Sequence, residues 1–213
     1  MTPAAPIFDM DGVLLNSTTA HESAFKTVLE KYRLKTWSYD AIAGMHTKTA
    51  FEKIFKENDL KLSEKELEFL IFEKRKLAFE ALEKLEPIEP DAAEVLLSLS
   101  REYKLALASS ASRRLVDWFC SHSKTTDLFS TILCGDEVKD AKTCPNIYLL
   151  AAERLTLEPE ECLVIEDAES GIEAAFRAGI PVCVKLGTLK DIPKTDKRVQ
   201  KTFRTLTDLL DLL

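Results

Sequence analysis

Glycine is scarce in this sequence, with only 6 glycines among 213 residues. This is well below the average usage of about 7%. Neither the dinucleotide-binding pattern G-x-G-x-x-G nor the P-loop pattern G-x-x-x-x-G-K-[ST] occurs. The scarcity argues against chemistry in which a glycine-rich loop wraps around the phosphates of a nucleotide.

Long hydrophobic runs and paired cysteines are also missing. No uncharged apolar run approaches the roughly 18–20 residues of a membrane span, and the first residues have neither the basic start nor the apolar core of a secretory signal. The five cysteines form no C-x-x-C pair. We therefore expect reduced thiols, a cytoplasmic location and no membrane partner.

The charge balance is acidic, with 29 basic and 36 acidic side chains and a formal net charge of −7. No basic stripe or aromatic platform follows the chain, so we expect no nucleic-acid partner. The three histidines, His21, His46 and His122, are scattered, which disfavours a histidine-rich metal site. Nothing in the sequence indicates the oligomeric state.

Short apolar runs bounded by turn residues predict the strands. They are Pro6–Phe8, Leu105–Ser109, Thr131–Cys134, Cys162–Ile165 and Val182–Leu186. Helical patterns separate the last four runs, which favours a parallel sheet with helices on both faces. We therefore predict an α/β fold with a doubly wound parallel sheet.

The stretch between the first and second predicted strands contains helical patterns only. It covers roughly residues 17–86, far more than one crossover helix needs. The simplest interpretation is an inserted helical domain at residues 16–87, with the core formed by residues 1–15 and 88–213.

Capping-box patterns mark several predicted helix starts, because a serine or threonine followed three residues later by glutamate can satisfy the first amides of a helix. The pattern occurs at Thr19 with Glu22, Ser63 with Glu66, and Ser170 with Glu173. Gly179 followed by Pro181 predicts a helix end.

Acidic residues follow two of the apolar runs. Asp9 and Asp11 come after the first run, and Glu166 and Asp167 come after the fourth. In open α/β sheets, ligands bind outside the carboxyl ends of the strands, so these acids are candidate site residues. The alternatives are a solvated turn for the first pair and a charge that complements a helix dipole for the second.

Convergence of these four acids would require a cation. Each pair of carboxylates about 4 Å apart would cost about 4 kcal/mol at an effective dielectric of about 20. The ligands would all be oxygens, which favours Mg²⁺ over Zn²⁺.

Two further features suit an anion beside such a metal. Ser109 ends the second predicted strand and Ser110 follows it, at a position where hydroxyls and helix-start amides can bind phosphate oxygens. Lys142 lies before the helix that begins near Pro145. Taken singly, a serine helix cap and a solvated lysine are the simpler interpretations.

In their order and their placement at strand ends, the four clusters resemble the motifs of the haloacid dehalogenase superfamily over essentially the whole chain. The corresponding residues are Asp9-x-Asp11 with Gly12, then Ser109, then Lys142, and finally Glu166-Asp167. The resemblance implies a Rossmann-like core with an inserted all-helical cap domain. The nearest subfamily is the one containing β-phosphoglucomutase and the phosphoglycolate and sugar-phosphate phosphatases.

The resemblance also implies catalytic roles. Asp9 would be the nucleophile that forms an aspartyl-phosphate, and Asp11 would protonate the leaving oxygen and later activate water. Ser109 and Lys142 would hold the phosphoryl oxygens. The second aspartate, which the dehalogenases of the superfamily lack, implies phosphoryl transfer.

The implied metal is Mg²⁺. By the resemblance, its ligands would be Asp9, the backbone carbonyl of Asp11, and Asp167, with Glu166 assisting. The implied partner is a small phosphorylated metabolite.

Substrate selection would lie in the cap, where the resemblance points to His21 and to a loop formed by Gly44, His46, Thr47 and Lys48. β-Phosphoglucomutase carries an arginine in this loop where Thr47 stands here, so we predict a phosphatase. A phosphosugar isomerase stays open as an alternative, because Lys48 or the basic cluster at residues 74–76 could replace that arginine.

The third motif departs from the family pattern. This chain has Lys142-Thr143-Cys144-Pro145 where relatives typically have Lys-Pro-x-Pro. The departure leaves a second alternative, a non-catalytic binding protein on the same fold.

Overall fold

The computed structural model describes residues 5–43, 45–140, 142–187 and 196–213. The strands are β1 (Ala5–Phe8), β2 (Leu105–Ala108), β3 (Phe129–Leu133), β4 (Cys162–Glu166), β5 (Val182–Lys185) and β6 (Val199–Phe203). The α-helices are α1 (Thr18–Leu29), α2 (Thr47–Glu57), α3 (Glu64–Leu85), α4 (Ala92–Leu99), α5 (Arg113–Ser123), α6 (Asn146–Leu155), α7 (Glu169–Arg177) and α8 (Leu209–Leu212).

The chain divides into two units. Met1–Asn16 and Ile88–Leu213 form one unit, which contains the sheet, and Ser17–Pro87 forms the other, which contains α1, α2 and α3. None of the described helices is long and apolar enough to cross a membrane.

The six strands form one parallel sheet in the order β3-β2-β1-β4-β5-β6. Ile7 of β1 is in register with Ala106 of β2 on one side and with Val164 of β4 on the other. Every residue of β1, β2, β4 and β5 is buried, as expected when helices cover both faces of a parallel sheet. The predicted α/β, doubly wound fold is confirmed.

The sixth strand was not predicted from the sequence. Between its two ends, β6 exposes Gln200, Lys201 and Thr202, so it lacks the apolar run that marks the other strands. It pairs only with β5 in the described sheet, which makes it an edge strand.

The sheet unit has an apolar core between the strands and the helices α6 and α7. In α6, the buried residues Ile147, Ala151 and Leu155 repeat at helical spacing and pack in the same cluster as Ile7 and Val164. This packing fixes α6 against β3 and β2, with further contacts to β1.

The helical unit has its own core. Phe25 of α1 packs on Phe51 of α2 with 5.1 Å between ring centroids, and Leu70 of α3 belongs to the same buried cluster. At the start of α3, Ser63 and Glu66 form the predicted capping box.

The capping box predicted at Ser170 with Glu173 is wrong, whereas the helix start predicted at Thr19 lies within a residue of the observed one. Helix α1 begins at Thr18, so Thr19 lies inside its first turn, and α7 begins at Glu169, so Ser170 lies inside the helix. At α7 the side chain of Glu166 accepts hydrogen bonds from the amides of Asp167 and Ala168 just before the helix, at 2.9 and 3.1 Å.

Candidate active site

The end of β1 places Asp9 beside β4. The Asp9 amide donates a hydrogen bond to the Ile165 carbonyl at 2.9 Å, which extends the strand pairing one residue beyond β1. Because β1 and β4 are neighbours at the point where the strand order reverses, their carboxyl ends form the crevice where doubly wound sheets bind ligands.

A tight loop follows, formed by residues 10–15. The Met10 carbonyl accepts hydrogen bonds from the amides of Val13, Leu14 and Leu15 at 3.3, 2.9 and 2.9 Å. Asp11, which is half-buried, lies in this loop between Met10 and Gly12. The backbone of the loop is therefore wound around one carbonyl oxygen.

Gly12 allows this loop to approach the acidic residues after β4. Its φ is +85°, and a Cβ at this position would overlap the carboxylate of Asp167. Any other residue would therefore meet both an unfavourable backbone conformation and a steric clash.

Three buried carboxylates meet at these strand ends. One oxygen each from Asp9, Glu166 and Asp167 lies within 4.8 Å of the others. Asp9 comes from the end of β1, while Glu166 and Asp167 come from the end of β4 and the residue after it. The structure thus brings together the side chains of three of the four acids that were predicted to hold the metal.

Lys142 lies in the middle of this cluster. Its Nζ donates hydrogen bonds to the carboxylate of Asp9, to Glu166 Oε1 at 2.8 Å and to the Ala108 carbonyl at 3.2 Å. The side chain is buried, and it forms ion pairs with both acids. Lys142 is therefore in direct contact with the predicted nucleophile.

Glu166 is surrounded by donors. Its Oε1 accepts from Lys142 and from the Tyr148 hydroxyl, the latter at 2.7 Å, and its Oε2 accepts from the amides of Asp167 and Ala168. Because both oxygens are already hydrogen-bonded, Glu166 is better suited to orient its neighbours than to be a direct metal ligand.

Burial and charge shift the pKa values of the buried groups. Burial raises the pKa of the Asp9 carboxyl well above its usual value, and the Lys142 ammonium opposes this shift. Burial alone would lower the pKa of Lys142, but the carboxylates of Asp9 and Glu166 outweigh it and raise the pKa well above its usual value. Burial and the Glu166 charge raise the pKa of Tyr148 in the same way.

The donor set fits a hard divalent cation. Three buried carboxylates face a single ammonium, so Lys142 leaves two negative charges uncompensated when all three acids are ionised. All of the side-chain donors are oxygens, which is the ligand type of Mg²⁺ and Ca²⁺. The residues present therefore suit the predicted metal class.

The predicted phosphate-binding serines follow β2, the other neighbour of β1. Ser109 is fully buried, its amide donates to the Leu133 carbonyl at 3.1 Å, and its Oγ accepts from the Ala111 amide at 3.0 Å. Ser110 is half-buried. Neither is the cap of α5, since that position belongs to Ser112.

The predicted cap residues are divided between two sites in the helical unit. His46 precedes α2, while Thr47 and Lys48 form its first turn, so these two are helical instead of lying in a loop. Lys48 is exposed and pairs with Glu52 at 4.0 Å. Gly44 lies outside the described residues.

His21 forms the second site in the helical unit. It lies in α1, and its Nδ1 is 2.9 Å from Nζ of Lys74, a buried lysine of α3 that also stacks over the Phe25 ring at 4.7 Å. Tyr148 was not predicted as a site residue, and Lys74 was named only as part of the basic cluster at residues 74–76 that could replace the mutase arginine. For Lys74 the signal was its position on the apolar face of α3, one turn after Leu70 and one turn before Ala78.

Residues 6–185 match the model of a protein family described as haloacid dehalogenase-like hydrolase. The chain belongs to this family. The match contains every described residue of the acidic cluster, Lys142 and Ser109, and it confirms the predicted resemblance.

Several relatives of the haloacid dehalogenase-like chain are named as phosphatases. A phosphorylated carbohydrates phosphatase of Thermotoga maritima is 35% identical over 179 residues, covering 83% of this chain and 82% of the relative. A fructose-1-phosphate phosphatase of Escherichia coli is 30% identical over 183 residues, covering 83% and 93%. The protein is a haloacid dehalogenase-like phosphatase, as predicted.

The fold of the haloacid dehalogenase-like chain also has solved counterparts. A β-phosphoglucomutase from Clostridium difficile superimposes with a TM-score of 0.82 at 23% identity, covering 98% of this chain and 93% of that one. This likeness extends over the helical unit as well as the sheet unit, and it supports the assigned fold.

Proposed function

We propose that the protein is a Mg²⁺-dependent phosphatase that hydrolyses a phosphate monoester of a small sugar-like metabolite through an aspartyl-phosphate on Asp9. One observation carries the proposal. Three buried carboxylates, Asp9, Glu166 and Asp167, meet at the ends of β1 and β4, with Lys142 bonded to two of them.

The first step is transfer of the phosphoryl group to the enzyme. The Asp9 carboxylate attacks phosphorus, the bond from phosphorus to the leaving oxygen breaks, and Asp11 gives that oxygen a proton. Lys142, already bonded to Asp9, and Ser109 stabilise the negative charge on the transferring phosphoryl oxygens.

The second step releases phosphate. Asp11, now ionised, takes a proton from water, the water oxygen attacks phosphorus, and the bond to Asp9 breaks. Mg²⁺, held by Asp9, Asp167 and the backbone carbonyl of Asp11, would supply positive charge that offsets the charge of the phosphoryl group. Glu166 holds Lys142 through the 2.8 Å ion pair and so keeps the ammonium at Asp9.

The substrate class follows from the relatives. Two of them are named for phosphorylated carbohydrates and for fructose 1-phosphate, so we expect a hexose or related sugar phosphate. The predicted cytoplasmic location would give the enzyme access to such metabolites.

A phosphosugar isomerase is the second candidate function. Nη2 of Arg75 on α3 is 3.4 Å from Nε2 of His46, so a guanidinium lies next to the residue that precedes α2. This arginine could bind a second phosphate group in place of the arginine that is missing at Thr47. This proposal rests on one contact, whereas the phosphatase proposal rests on three buried carboxylates and the lysine bonded to two of them.

Release of inorganic phosphate tests the proposed function. Purified protein with Mg²⁺ should hydrolyse members of a panel of sugar phosphates, and EDTA should stop the reaction. Asp9→Asn should lose at least about 10³-fold of kcat, since an amide cannot serve as the nucleophile. An acid-stable acyl-phosphate that hydroxylamine cleaves should be trapped on Asp9 in the wild type.

The control is Asp117→Asn, which removes an exposed carboxylate of α5 and should retain full activity. Phosphorus NMR on hexose 1- and 6-phosphates separates the two candidates, because an isomerase would interconvert them faster than it releases phosphate. No turnover and no trapped acyl-phosphate across the panel would instead favour a non-catalytic binding protein.

A further inference from the structure

Lys185 is a buried lysine that the sequence motifs do not include. It is the last residue of β5, and its relative exposure is 8%. Its Nζ donates to the Val13 carbonyl at 2.9 Å and forms an ion pair with Glu89 Oε1 at 2.7 Å. A buried ammonium is costly without such partners, so its position is closely defined by these two contacts.

The Val13 carbonyl belongs to the loop that follows the first catalytic aspartate. Within this loop, the Gly12 amide donates to the Leu15 carbonyl at 2.7 Å, and the Met10 carbonyl accepts from the three amides that follow Gly12. These bonds hold the loop together internally. The contact with Lys185 is different, because it attaches the loop to the sheet through β5.

Glu89 ties the same loop to the chain that follows the helical unit. The Glu89 amide donates to the Leu14 carbonyl at 3.0 Å, and Leu15 forms an antiparallel bridge with Ile88. Glu89 thus contacts the loop by its backbone and Lys185 by its side chain. Lys185, Glu89 and Val13 form one connected set around residues 13–15.

We propose that Lys185 is a positioning residue that fixes the loop of residues 10–15 and thereby holds Asp11 in place for proton transfer. The inference rests on the proposed function, which gives Asp11 its acid–base role. Because proton transfer requires hydrogen-bond distance, a small displacement of the loop reduces the rate even when Asp9 is unaffected.

The choice of leaving group distinguishes loss of Asp11 positioning from general damage. The oxygen of a hexose phosphate leaves as an alkoxide and needs a proton, whereas p-nitrophenolate is stable as an anion and does not. Lys185→Met should lower kcat/KM for a hexose phosphate by about 10- to 100-fold and that for p-nitrophenyl phosphate by less than about threefold.

Lys104→Met is the control for loss of a lysine, since exposed Lys104, just before β2, also donates to a backbone carbonyl, that of Leu155, which is not part of the loop. It should leave both kcat/KM values unchanged. Glu89→Gln keeps Lys185 but removes its charge partner, and it should reproduce the selective loss at smaller size. This second variant keeps the test decisive if Lys185→Met does not fold.

Hydrogen–deuterium exchange gives a readout that is independent of activity. Amides of residues 12–15 should exchange about tenfold faster in Lys185→Met, with β2 unchanged. An equal loss of kcat/KM for both esters, or unchanged exchange rates of the amides of residues 12–15, would overturn the inference. If the wild type hydrolyses neither ester with Mg²⁺, the proposed function fails, and the exchange rates still decide whether Lys185 holds the loop.

Discussion

Glu166 shows how one carboxylate can organise several groups of the site. It accepts from an ammonium, a phenol and two backbone amides. The ammonium belongs to Lys142, which also contacts Asp9. Removal of any one of these donors leaves a buried charge less well satisfied, so each should contribute more than an ordinary hydrogen bond.

Tyr148→Phe tests this expectation at the level of one hydroxyl. The change removes the 2.7 Å hydrogen bond to Glu166 and should lower the free energy of unfolding by about 2 kcal/mol, measured by urea denaturation. Ser100→Ala is the control, since its hydroxyl donates to the neutral Leu97 carbonyl at 2.9 Å, and it should cost about 1 kcal/mol. Equal costs for the two variants would contradict the special role of the charged acceptor.

The residues that the sequence identified are those with a local signature. Asp9 and Asp11 stand directly after an apolar run, and Glu166 and Asp167 do the same. Tyr148 and Lys185 have no such signature, because their importance comes from partners far away in the chain. A tyrosine on the buried face of α6 looks like any other core residue until Glu166 is placed beside it.

At the scale of elements, helix ends depend on the backbone and on tertiary neighbours. Helix α7 ends at Arg177, and Gly179 follows with φ of +75°, as the Gly179-Pro181 pattern predicted. Its start was predicted less well. The carboxylate of Glu166 accepts hydrogen bonds from the amides of Asp167 and Ala168. The other contacts of the site hold Glu166 in this position, and a capping rule that considers only the sequence at the helix start does not include them.

Gly179→Ala measures the backbone contribution at that helix end. A Cβ at Gly179 would meet no atom within 4 Å, so the cost comes from the left-handed backbone alone and should be about 1 kcal/mol of unfolding free energy. Gly187→Ala is the matched control, because its Cβ also meets nothing and its φ is not positive. We expect it to be close to neutral in the same urea titration, and a cost equal to that of Gly179→Ala would contradict the backbone explanation.

At the scale of the whole molecule, a surface charge network joins the residues just before β6 to helix α7. Arg198 Nη1 contacts Glu169 at 2.5 Å and Glu173 at 3.1 Å on α7, while Nη2 contacts Asp196 at 2.8 Å. Hydrogen bonds from Arg198 lower the pKa of Asp196, and those from Arg198 and Arg177 lower the pKa of Glu173. Acid should weaken this attachment.

Stability at low pH tests the network. A carboxyl whose pKa is lowered on folding stabilises the protein above its unfolded pKa, about 4, and this contribution is lost as the pH falls through the folded pKa. The urea midpoint of Arg198→Gln should therefore lie below that of the wild type at pH 6, and the gap should close as the pH falls below about 4. Exposed Arg101→Gln should show no pH-dependent gap. If the difference in urea midpoint between Arg198→Gln and the wild type stayed constant across this pH range, loss of the charge network would not be its cause.

The sequence predicted the inner strands of the described sheet better than its two edge strands, β3 and β6. Four of the five predicted strands begin within a residue of their observed positions, because buried parallel strands are continuously apolar. The third strand begins at Phe129, two residues before the predicted start, and β6 escaped prediction because its central residues are exposed. The pattern of buried and exposed side chains along an edge strand differs from that along a central strand. The sequence alone does not tell which strand lies at an edge, because that depends on how the sheet is assembled.

The central position of β1 has a consequence for synthesis of the protein. Among the described strands β1 is translated first, yet the Ile165 carbonyl that accepts from the Asp9 amide belongs to a strand made much later. A nascent chain therefore carries Asp9, the proposed nucleophile, through the synthesis of residues 10–165 without the partner acids of β4. Because domains fold as units when their contacts become available, the proposed active site can be complete only after the ribosome has passed Asp167.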